Sequence, residues 1–290
     1  MSGAVVVVGS LHYDLMVEAP DRPRKGETVT GQAWYPKFGG KGGNQAVAAA
    51  QAGAQTRFVG AVGEDDFAQL MLSTLRDAGI ATDDVQRIAG CGTGMSVAIV
   101  DAEGDYGAVI VSGANLHIDT AQFADPALWQ DAKVLILQNE VPEAVNFAAA
   151  RAAQAHGLRI CLNAAPHRAL SPALRDALDV LVVNAIEAED MGTAAVSDLA
   201  SAEAAAISLS EHIPTVVVTA GGDGVAWAER GKGSGALPAH PVDVVSTHGA
   251  GDAFIGTLCR ALAEDLPLQP ALEQASTAAA AHISRTHRAS

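Results

Sequence analysis

A short stretch near the carboxyl end combines small residues with an acid in a way that suits anion chemistry. In "STHGAGDAF", residues 246–254, Gly249, Ala250 and Gly251 directly precede Asp252 and an apolar run typical of a buried helix. Small residues at a helix start leave its first N–H groups open, and open N–H groups bind anions. Asp252 either caps this helix or accepts a proton from an attacking hydroxyl while the N–H groups receive a transferred phosphoryl group.

A second glycine-rich stretch, "FGGKGGNQAVAAA" at residues 38–50, has the donors of a ligand site. It is not a P-loop, because Gly42 rather than Ser or Thr follows Lys41. The alternative without a function is a flexible turn before a helix. Four glycines around Lys41 and Asn44 exceed what a turn requires, and those two side chains are donors suited to a polyhydroxylated ligand. The sequence therefore favours a binding loop here.

Polar residues also follow several of the apolar runs that read as strands. Ligands bind at the carboxyl ends of the strands in an open parallel sheet, although turns favour the same residue types. The polar positions in question are His12, Asp14, Glu140, Asn163, Asn184, Glu187 and residues 219–224. We expect two acceptors, Asp14 and Asp252, to share one rim of the sheet with Lys41 and Asn44.

These residues must be positioned by alternating strands and helices. Residues 5–8 form a β-branched run typical of a strand buried on both faces. Further strands are predicted at 56–62, 134–138, 159–163, 180–184 and 215–219. Helices are predicted at 43–52, 65–78, 142–156, 198–209, 251–264 and 268–284. The alternation predicts a doubly wound α/β fold with a mostly parallel sheet and helices on both faces.

Two β-rich segments interrupt this alternation. Residues 12–38 and 91–114 contain short alternating strands and little helix, and we expect them to pair as a small β-sheet beside the main one. We find no linker, internal repeat or composition break that would cut the chain into consecutive domains. The sequence therefore predicts one α/β domain over residues 1–290 with an inserted β lid.

Composition excludes several classes of function. The 290 residues are 49% hydrophobic and carry a formal net charge of −15, which disfavours nucleic-acid and anionic-membrane binding. The three cysteines, Cys91, Cys161 and Cys259, lack the spacing of a zinc site or disulfide framework. The amino terminus has neither a basic region nor an apolar run long enough for a signal peptide, so we expect a cytoplasmic protein.

The two glycine-rich stretches together resemble the signature regions of the PfkB carbohydrate kinases, the ribokinase family. "GGKGGNQAVAAAQAGAQTRFVGAVGEDDFA" and "STHGAGDAFIG" carry the likeness, which runs from residue 5 to about residue 282. "GETVTG", "SGANLHI" and "LNAAPHRAL" place the chain nearest to the ribokinase branch. The resemblance implies transfer of the ATP γ-phosphate, with Mg²⁺, to a primary hydroxyl of a sugar. It also implies a lid that often forms a homodimer interface.

The resemblance further implies a role for individual residues. Asp252 would be the general base, and Gly249, Ala250 and Gly251 the anion hole. Asn184 and Glu187 match an NxxE motif that serves magnesium and phosphate, mainly through water. The sugar would be held by Asp14, Gly40, Lys41, Gly42, Gly43 and Asn44, with Glu140 nearby. The nucleotide would be bound by Asn184, Thr219, Gly221, Gly222, Gly224 and Ser276.

Three features depart from the family pattern. His12 stands where bacterial members commonly have asparagine, and we expect it to contact the ligand and alter sugar preference. Ser246 replaces the aspartate that helps bind an activating monovalent cation, and the chain ends at "SRTHRAS" where the family usually continues around that cation. We therefore expect little dependence on potassium. Arg285, His287 and Arg288 either place a guanidinium where the ion would be or form a frayed basic terminus.

Other functions remain open at this point. A nucleoside kinase of the same family needs apolar space in the lid for a base, which His12 either helps or blocks. A non-catalytic sugar- or nucleotide-binding protein would not need Asp252 as a base. An NAD-dependent dehydrogenase is disfavoured because the first strand and its turn, "VVVVGSLHYD", lack the GxGxxG fingerprint.

Overall fold

The computed structural model describes residues 3–103 and 106–284, and thirteen strands lie within these ranges. In chain order the strands are β1 (Ala4–Val8), β2 (His12–Glu18), β3 (Ala33–Gly39), β4 (Thr56–Gly63), β5 (Val85–Ile88), β6 (Met95–Val100), β7 (Tyr106–Val111), β8 (Ala132–Gln138), β9 (Arg159–Asn163), β10 (Val180–Asn184), β11 (Thr215–Thr219), β12 (Gly224–Glu229) and β13 (Gly233–Pro238). The six predicted strands correspond to β1, β4, β8, β9, β10 and β11, with ends within two residues of the prediction.

The α-helices of the described ranges alternate with the strands. In chain order they are α1 (Lys41–Gln51), α2 (Phe67–Asp77), α3 (Pro126–Trp129), α4 (Glu143–Ala155), α5 (Pro172–Arg175), α6 (Ala185–Asp190), α7 (Leu199–Ser210), α8 (Ala250–Ala263) and α9 (Leu268–Ile283). The six predicted helices are α1, α2, α4, α7, α8 and α9. Helix α1 begins at Lys41, two residues before the predicted start, so Gly42 and Gly43 lie in its first turn.

Nine strands form the main sheet, in the order β13-β12-β11-β10-β9-β8-β1-β4-β5. Successive strands from β5 to β11 pair in parallel, and β12 and β13 form an antiparallel hairpin at one edge. The chain leaves β1 in one direction through β4 and β5 and in the other through β8 to β11. The sheet therefore has its topological switch point between β1 and β8, where ligands bind in folds of this kind.

The sheet is covered on both faces, as the alternation of elements predicted. Val6 and Val8 of β1 belong to one apolar core with residues of α4 and α7, while Val5 and Val7 belong to the other with residues of α1, α2, α8 and α9. All four valines are fully buried. Residues 5–8 show no alternation of polar and apolar side chains because β1 faces a layer of helices on each side.

Helices α1 and α8 cross at a point of very close approach. A methyl group added at Gly256 of α8 would lie 2.5 Å from the backbone nitrogen of Ala49 and 2.6 Å from Cβ of Ala48 in α1. Real Cβ atoms do not come so near to a backbone atom, so only glycine permits this spacing. The crossing lies one helical turn beyond Asn44 in α1 and one turn beyond Asp252 in α8.

The two β-rich segments pair with each other, as expected, in a separate sheet of order β3-β2-β6-β7. Strand β2 pairs antiparallel with β3 and parallel with β6, and β6 pairs antiparallel with β7. The register places Asp14 opposite Lys37 on one side and Ser96 on the other. The small sheet thus brings three polar side chains onto neighbouring strands.

Some elements were not predicted. The prediction did not include strand β5 or the β12–β13 hairpin. Strand β5 is only four residues long, and β13 begins with a glycine-containing "GSG" that weakens the strand pattern. Helices α3, α5 and α6 are four to six residues long, below the length at which a helical period becomes visible. The prediction therefore failed on short elements and at the sheet edges.

Two further properties bear on the expectations from composition. Cys91, Cys161 and Cys259 are free thiols. Within residues 3–103 and 106–284, no helix combines the length and the apolar character needed to cross a bilayer.

Candidate active site

The loops that follow β1 and β8 meet at the switch point through one shared carboxylate. Oε2 of Glu140 accepts hydrogen bonds from the Ser10 hydroxyl and, at 2.7 Å, from the backbone N–H of Lys41. The Ser10 hydroxyl also accepts from the N–H of Gly42 at 3.3 Å. Glu140 therefore ties the glycine-rich loop to the ends of two central strands, and half of its carboxylate is used in doing so.

Asp252 lies in the first turn of α8 and faces the first turn of α1. Nδ2 of Asn44 donates to Oδ2 of Asp252 at 3.3 Å, and Nε2 of Gln45 donates to Oδ1 at 3.0 Å. Burial raises the pKa of Asp252, and Glu140 raises it further, while the charge of Lys41 and the two amide donors lower it. The balance is a carboxylate whose proton affinity is above that of an exposed aspartate, which suits a general base.

The start of α8 has open amides, although the N–H of Ala250, one of the three predicted anion-hole residues, is paired. Gly249 precedes the helix in a left-handed conformation, with φ at 81°, and the N–H of Ala250 donates back to Thr247 at 3.3 Å. Among the described residues, the N–H groups of Gly251 and Asp252 have no backbone acceptor. These two N–H groups are therefore free to donate hydrogen bonds to an anion.

A cavity of about 290 Å³ joins this helix start to the ends of β9, β10 and β11. Its lining includes the predicted residues Lys41, Asn184, Glu187, Thr219, Gly249, Gly251 and Asp252. One lysine and the open amides thus face the same space as the carboxylates of Glu187 and Asp252. The cavity has the charge pattern needed for a phosphoryl group beside a base.

Asn184 and Glu187 also have a local structural role. They form a reciprocal capping box at the start of α6, with 2.8 and 2.9 Å hydrogen bonds between each side chain and the backbone N–H of the other residue. Burial raises the pKa of Glu187, and Lys41 and His167 lower it. Capping alone accounts for the NxxE spacing. The second carboxylate oxygen of Glu187 has no role in the box.

A larger cavity of about 610 Å³ adjoins the first through Thr219, Thr247, Gly251 and Phe254. The predicted nucleotide residues Thr219, Gly221, Gly222, Gly224 and Ser276 all line it. Its walls are otherwise mainly apolar and include Val242, Val244, Ala279, Ala280 and Ile283. An apolar slot that opens onto a polar, amide-rich pocket matches the shape of a nucleotide with its phosphates.

The small sheet holds Asp14 near the turn before α8. Oδ1 of Asp14 accepts from the Ser96 hydroxyl, and a methyl group at Gly39 would lie 2.0 Å from Oδ2. Electrostatic interactions also join Asp14 and Lys37 to His248, directly before the helix-start glycines. Asp14 is therefore fixed by its own sheet, near the turn that leads into α8.

The glycines of the first signature stretch pack against protein. A methyl group on Gly42 would lie 2.5 Å from the backbone nitrogen of Ser10, and one on Gly43 would lie 2.6 Å from the ring of Phe38. Gly40 has a φ of 88°, and a methyl group there would lie 2.8 Å from the carbonyl oxygen of Ser10. Close packing of α1 on the end of β1 is a sufficient reason for these glycines. Their contact with a ligand stays a prediction.

His12 is 4% exposed at the start of β2. Its Nδ1 lies 3.8 Å from Oε2 of Glu140, and within the described part of the chain its buried Nε2 has no hydrogen-bond partner. A methyl group at Gly94 would lie 2.6 Å from Cδ2 of the ring. The ring is therefore tightly held, and one of its nitrogens is left for another group to bond.

Ser246 is exposed and shapes the turn before α8. Its N–H donates to the carbonyl oxygen of Ile283 at 3.3 Å, and its hydroxyl accepts from the N–H of His248 at 3.3 Å. Arg285, His287 and Arg288 lie outside the described residues. No group of three or more metal-binding side chains occurs in the parts of the chain that the structure describes.

Sequence reasoning did not identify every residue at this site. It missed Gln45, the donor to Asp252, because a glutamine inside an alanine-rich helix carries no signal of its own. Ser96 was missed because its pairing with Asp14 depends on the register of two distant strands. The apolar run "PVDVV" at 241–245 was a usable signal for the wall of the larger cavity.

Comparisons with known proteins agree with this geometry. The family model described as pfkB family carbohydrate kinase matches residues 3–289. The chain is 36% identical to a Bacillus subtilis ribokinase over 96% of this chain and 92% of the relative, and 32% identical to a Haemophilus influenzae ribokinase over 98% and 94%. The structure of Arabidopsis thaliana ribokinase complexed with ribose and ATP superimposes with a TM-score of 0.91 at 27% identity, covering 98% of this chain and 94% of that one. The fold, the two signature stretches and these relatives together show that the chain belongs to the pfkB family of carbohydrate kinases.

Proposed function

We propose that the protein transfers the γ-phosphate of ATP to a primary hydroxyl of ribose or a closely related furanose. The observation that carries the proposal is the position of Asp252. This half-buried carboxylate lies beside the open amides of α8, in a cavity shared with Lys41 that continues into the larger apolar cavity. A binding protein has no use for a base at that position.

The chemistry needs no covalent enzyme intermediate. The sugar hydroxyl lies between Asp14 and Asp252 and attacks the γ-phosphorus as its proton passes to Asp252. The N–H groups of Gly251 and Asp252 and the ammonium group of Lys41 stabilise the negative charge on the transferred group. The bond to the β-phosphate oxygen breaks, and ADP leaves from the larger cavity.

Magnesium fits the donors at the cavity wall. Mg²⁺ prefers oxygen ligands and keeps several waters, so one carboxylate with phosphate oxygens is a sufficient site. The free oxygen of Glu187 and the side chain of Asn184 are the groups that would hold it, directly or through water. When bound, the ion neutralises charge on the phosphates. The remaining chemistry belongs to Asp252, Lys41 and the amides.

Ribose is the preferred acceptor class because of the relatives as well as the polar groups. The two bacterial relatives carry the name ribokinase, and the Arabidopsis complex contains ribose and ATP. Here Asp14, Lys41, Asn44 and Glu140 offer both donors and acceptors for the several hydroxyls of a pentose. Gly40 and the first turn of α1, which contains Gly42 and Gly43, would complete the binding segment for that sugar.

The test is a screen of ADP release with ATP over pentoses, 2-deoxyribose, hexoses and nucleosides. We expect the highest kcat/KM with ribose or a related furanose. A clear preference for a nucleoside would show that the acceptor is a nucleoside and not a free sugar, with the same phosphoryl-transfer chemistry. Tight binding of both ligands without any ADP release would contradict the kinase function itself.

The unusual His12 leads to a specificity prediction. The flat imidazole next to Asp14 occupies more room than the asparagine common in the family, so His12→Asn opens the pocket and restores an amide. We expect the kcat/KM ratio of ribose to the best other acceptor to rise by roughly five- to tenfold, the worth of about one hydrogen bond. His212→Asn, at an exposed position after α7, is the matched control. An unchanged ratio in His12→Asn would show that this residue does not set specificity.

A second expectation concerns potassium. Ser246 stands where the family has a carboxylate that helps bind an activating cation. The site therefore carries less negative charge for a cation to neutralise. We expect initial rates in buffer free of sodium and potassium to change less than about threefold when potassium is added. The variant Ser246→Asp restores the carboxylate and should gain potassium activation. Activation of the unmodified protein by about tenfold, on the order of 1.4 kcal/mol in the barrier, would mean that a functional cation site survives.

The small sheet acts as a lid of a single domain and as a dimer interface in this proposal. The face of the sheet opposite Asp14 forms an apolar groove of about 630 Å³ together with Phe67 of α2, and its other lining residues include Tyr13, Leu15, Val17, Trp34 and Met95. Trp34 is 67% exposed. An apolar face with an exposed tryptophan is suited to contact with a second copy of the chain.

A further inference from the structure

Gln45 is a fully buried glutamine near the start of α1, between two other polar side chains. Its Nε2 donates to Oδ1 of Asp252 at 3.0 Å and to Oδ1 of Asn163 at 3.1 Å. Asn163 is the last residue of β9, and Asp252 is in α8. One amide nitrogen therefore joins three separate elements at the base.

The orientation of the Gln45 amide follows from its neighbours. Nδ2 of Asn163 donates to the carbonyl oxygen of Val182 at 3.3 Å, which turns the Asn163 oxygen toward Gln45. With the opposite orientation, Oε1 of Gln45 would face two oxygens, one of them on a carboxylate. Both hydrogens of Nε2 are therefore used, one toward Asn163 and one toward Asp252.

The other end of the same amide points to a functional cause. Oε1 of Gln45 is buried and has no hydrogen-bond partner within the described residues. Leaving a buried acceptor unpaired costs stability, so a glutamine selected for packing alone would be replaced by an apolar residue. Such a cost is typical of positions where function sets the side chain.

We propose that Gln45 is a positioning residue that holds Oδ1 of Asp252 and so presents Oδ2 to the acceptor hydroxyl. The inference rests on the proposed kinase function for the role of Asp252 as base. Asn44 donates to Oδ2 at the longer distance of 3.3 Å, and a substrate hydroxyl can displace or share that contact. Gln45 keeps Oδ1, so the carboxylate does not rotate when the proton arrives at Oδ2.

The charged and polar groups around Asp252 determine how its pKa changes when the Gln45 donor is removed. Lys41, Asn44 and Gln45 face the carboxylate from α1, and Glu140 faces it from the loop after β8. The charge of Lys41 and the amide donors favour the ionised form, while burial and Glu140 oppose it. Removing the Gln45 donor therefore raises the pKa of Asp252. A base must be deprotonated to act, so activity would begin to fall at a higher pH.

The test compares Gln45→Leu with the unmodified protein across pH. We expect the acid limb of kcat/KM to move up by about one pH unit, the size expected for one hydrogen bond to a carboxylate. The plateau kcat should fall about tenfold, and the KM for ATP should stay within about twofold because the nucleotide cavity is untouched. Gln51→Leu is the matched control, because it makes the same chemical change at an exposed position at the end of the same helix. The control should leave the acid limb in place.

A second readout does not depend on catalysis. In protein with ¹³C-labelled aspartate, the Asp252 carboxyl signal is assigned by its loss in Asp252→Asn, and its titration midpoint is measured without substrates. We expect a higher midpoint in Gln45→Leu. Gln45→Glu keeps the length of the side chain and adds a negative charge beside Asp252, so it should raise the midpoint further. This variant replaces Gln45→Leu in the test if the leucine variant does not fold. Midpoints within about 0.3 unit of the unmodified protein in the folded variants would overturn the role of Gln45. If no substrate is phosphorylated yet the midpoint moves, the proposed function fails and the hydrogen bond stands.

Discussion

Replacing Asp252 by asparagine is expected to reduce kcat by at least about 10²-fold, and by up to about 10⁴-fold, while ATP still binds. The amide keeps the shape of the carboxylate but cannot take the proton of the acceptor hydroxyl. The larger cavity does not include Asp252, so the adenine end of the nucleotide meets the same walls. Single-turnover phosphorylation measures the first effect, and titration calorimetry with ATP measures the second.

The control for this prediction is Asp77→Asn, at an exposed aspartate at the end of α2. It makes the same chemical change outside the site and should retain full activity. A pH profile adds a second check, because burial and Glu140 raise the pKa of Asp252. Activity should therefore fall on acidification at a higher pH than an exposed aspartate would cause. An Asp252→Asn variant within a few-fold of the unmodified kcat would remove Asp252 from the mechanism.

Replacing Gly256 by alanine is expected to cost about 10²-fold in kcat although the residue touches no substrate. The added methyl would lie 2.5 Å from the Ala49 nitrogen, so α8 must move away from α1. Asn44 and Gln45 on α1 would then lose their hydrogen bonds to Asp252, and a displacement of about 1 Å can cost that much. Overpacking should also lower the free energy of unfolding by about 1–3 kcal/mol, less the gain from the better helix propensity of alanine.

Denaturant titration and steady-state kinetics test the two effects of Gly256→Ala separately. Gly92→Ala is the control, because a methyl group there would have only an ordinary contact of 3.7 Å with Asp65. It reproduces the effect of a glycine-to-alanine change on the unfolded chain without a clash. If Gly256→Ala lost stability but kept its kcat, the spacing of the two helices would not control the base.

The core of the fold was predictable because its signals are local. Residues 5–8 and 215–219 are unbroken β-branched runs, and each lies where a buried parallel strand was expected. The Asp252 stretch was found for the same reason, since its glycines, acid and apolar helix are adjacent in sequence. The predicted residues Lys41, Asn184, Glu187 and Thr219 do line a common cavity with it.

Other parts of the site depend on contacts that no local pattern encodes. Gln45 acquires its role only because α8 crosses α1, and Ser96 acquires its role only through the register of β6 on β2. The glycines of residues 38–50 show that a local pattern can also have more than one explanation. Gly42 and Gly43 suggested a ligand, and the close approach of α1 to β1 is an equally good reason for them.

The hydrogen bonds between α1 and Asp252 join residues 207 and 208 positions apart in the chain. During synthesis at about 5–20 residues per second, roughly 10–40 s pass between the translation of α1 and that of Asp252. Through that interval the nascent chain has neither the proposed base nor the helix on which α1 packs. A truncated product that ends before α8 therefore lacks Asp252 together with part of the core that holds α1 in place, so it has no route to phosphoryl transfer by this mechanism.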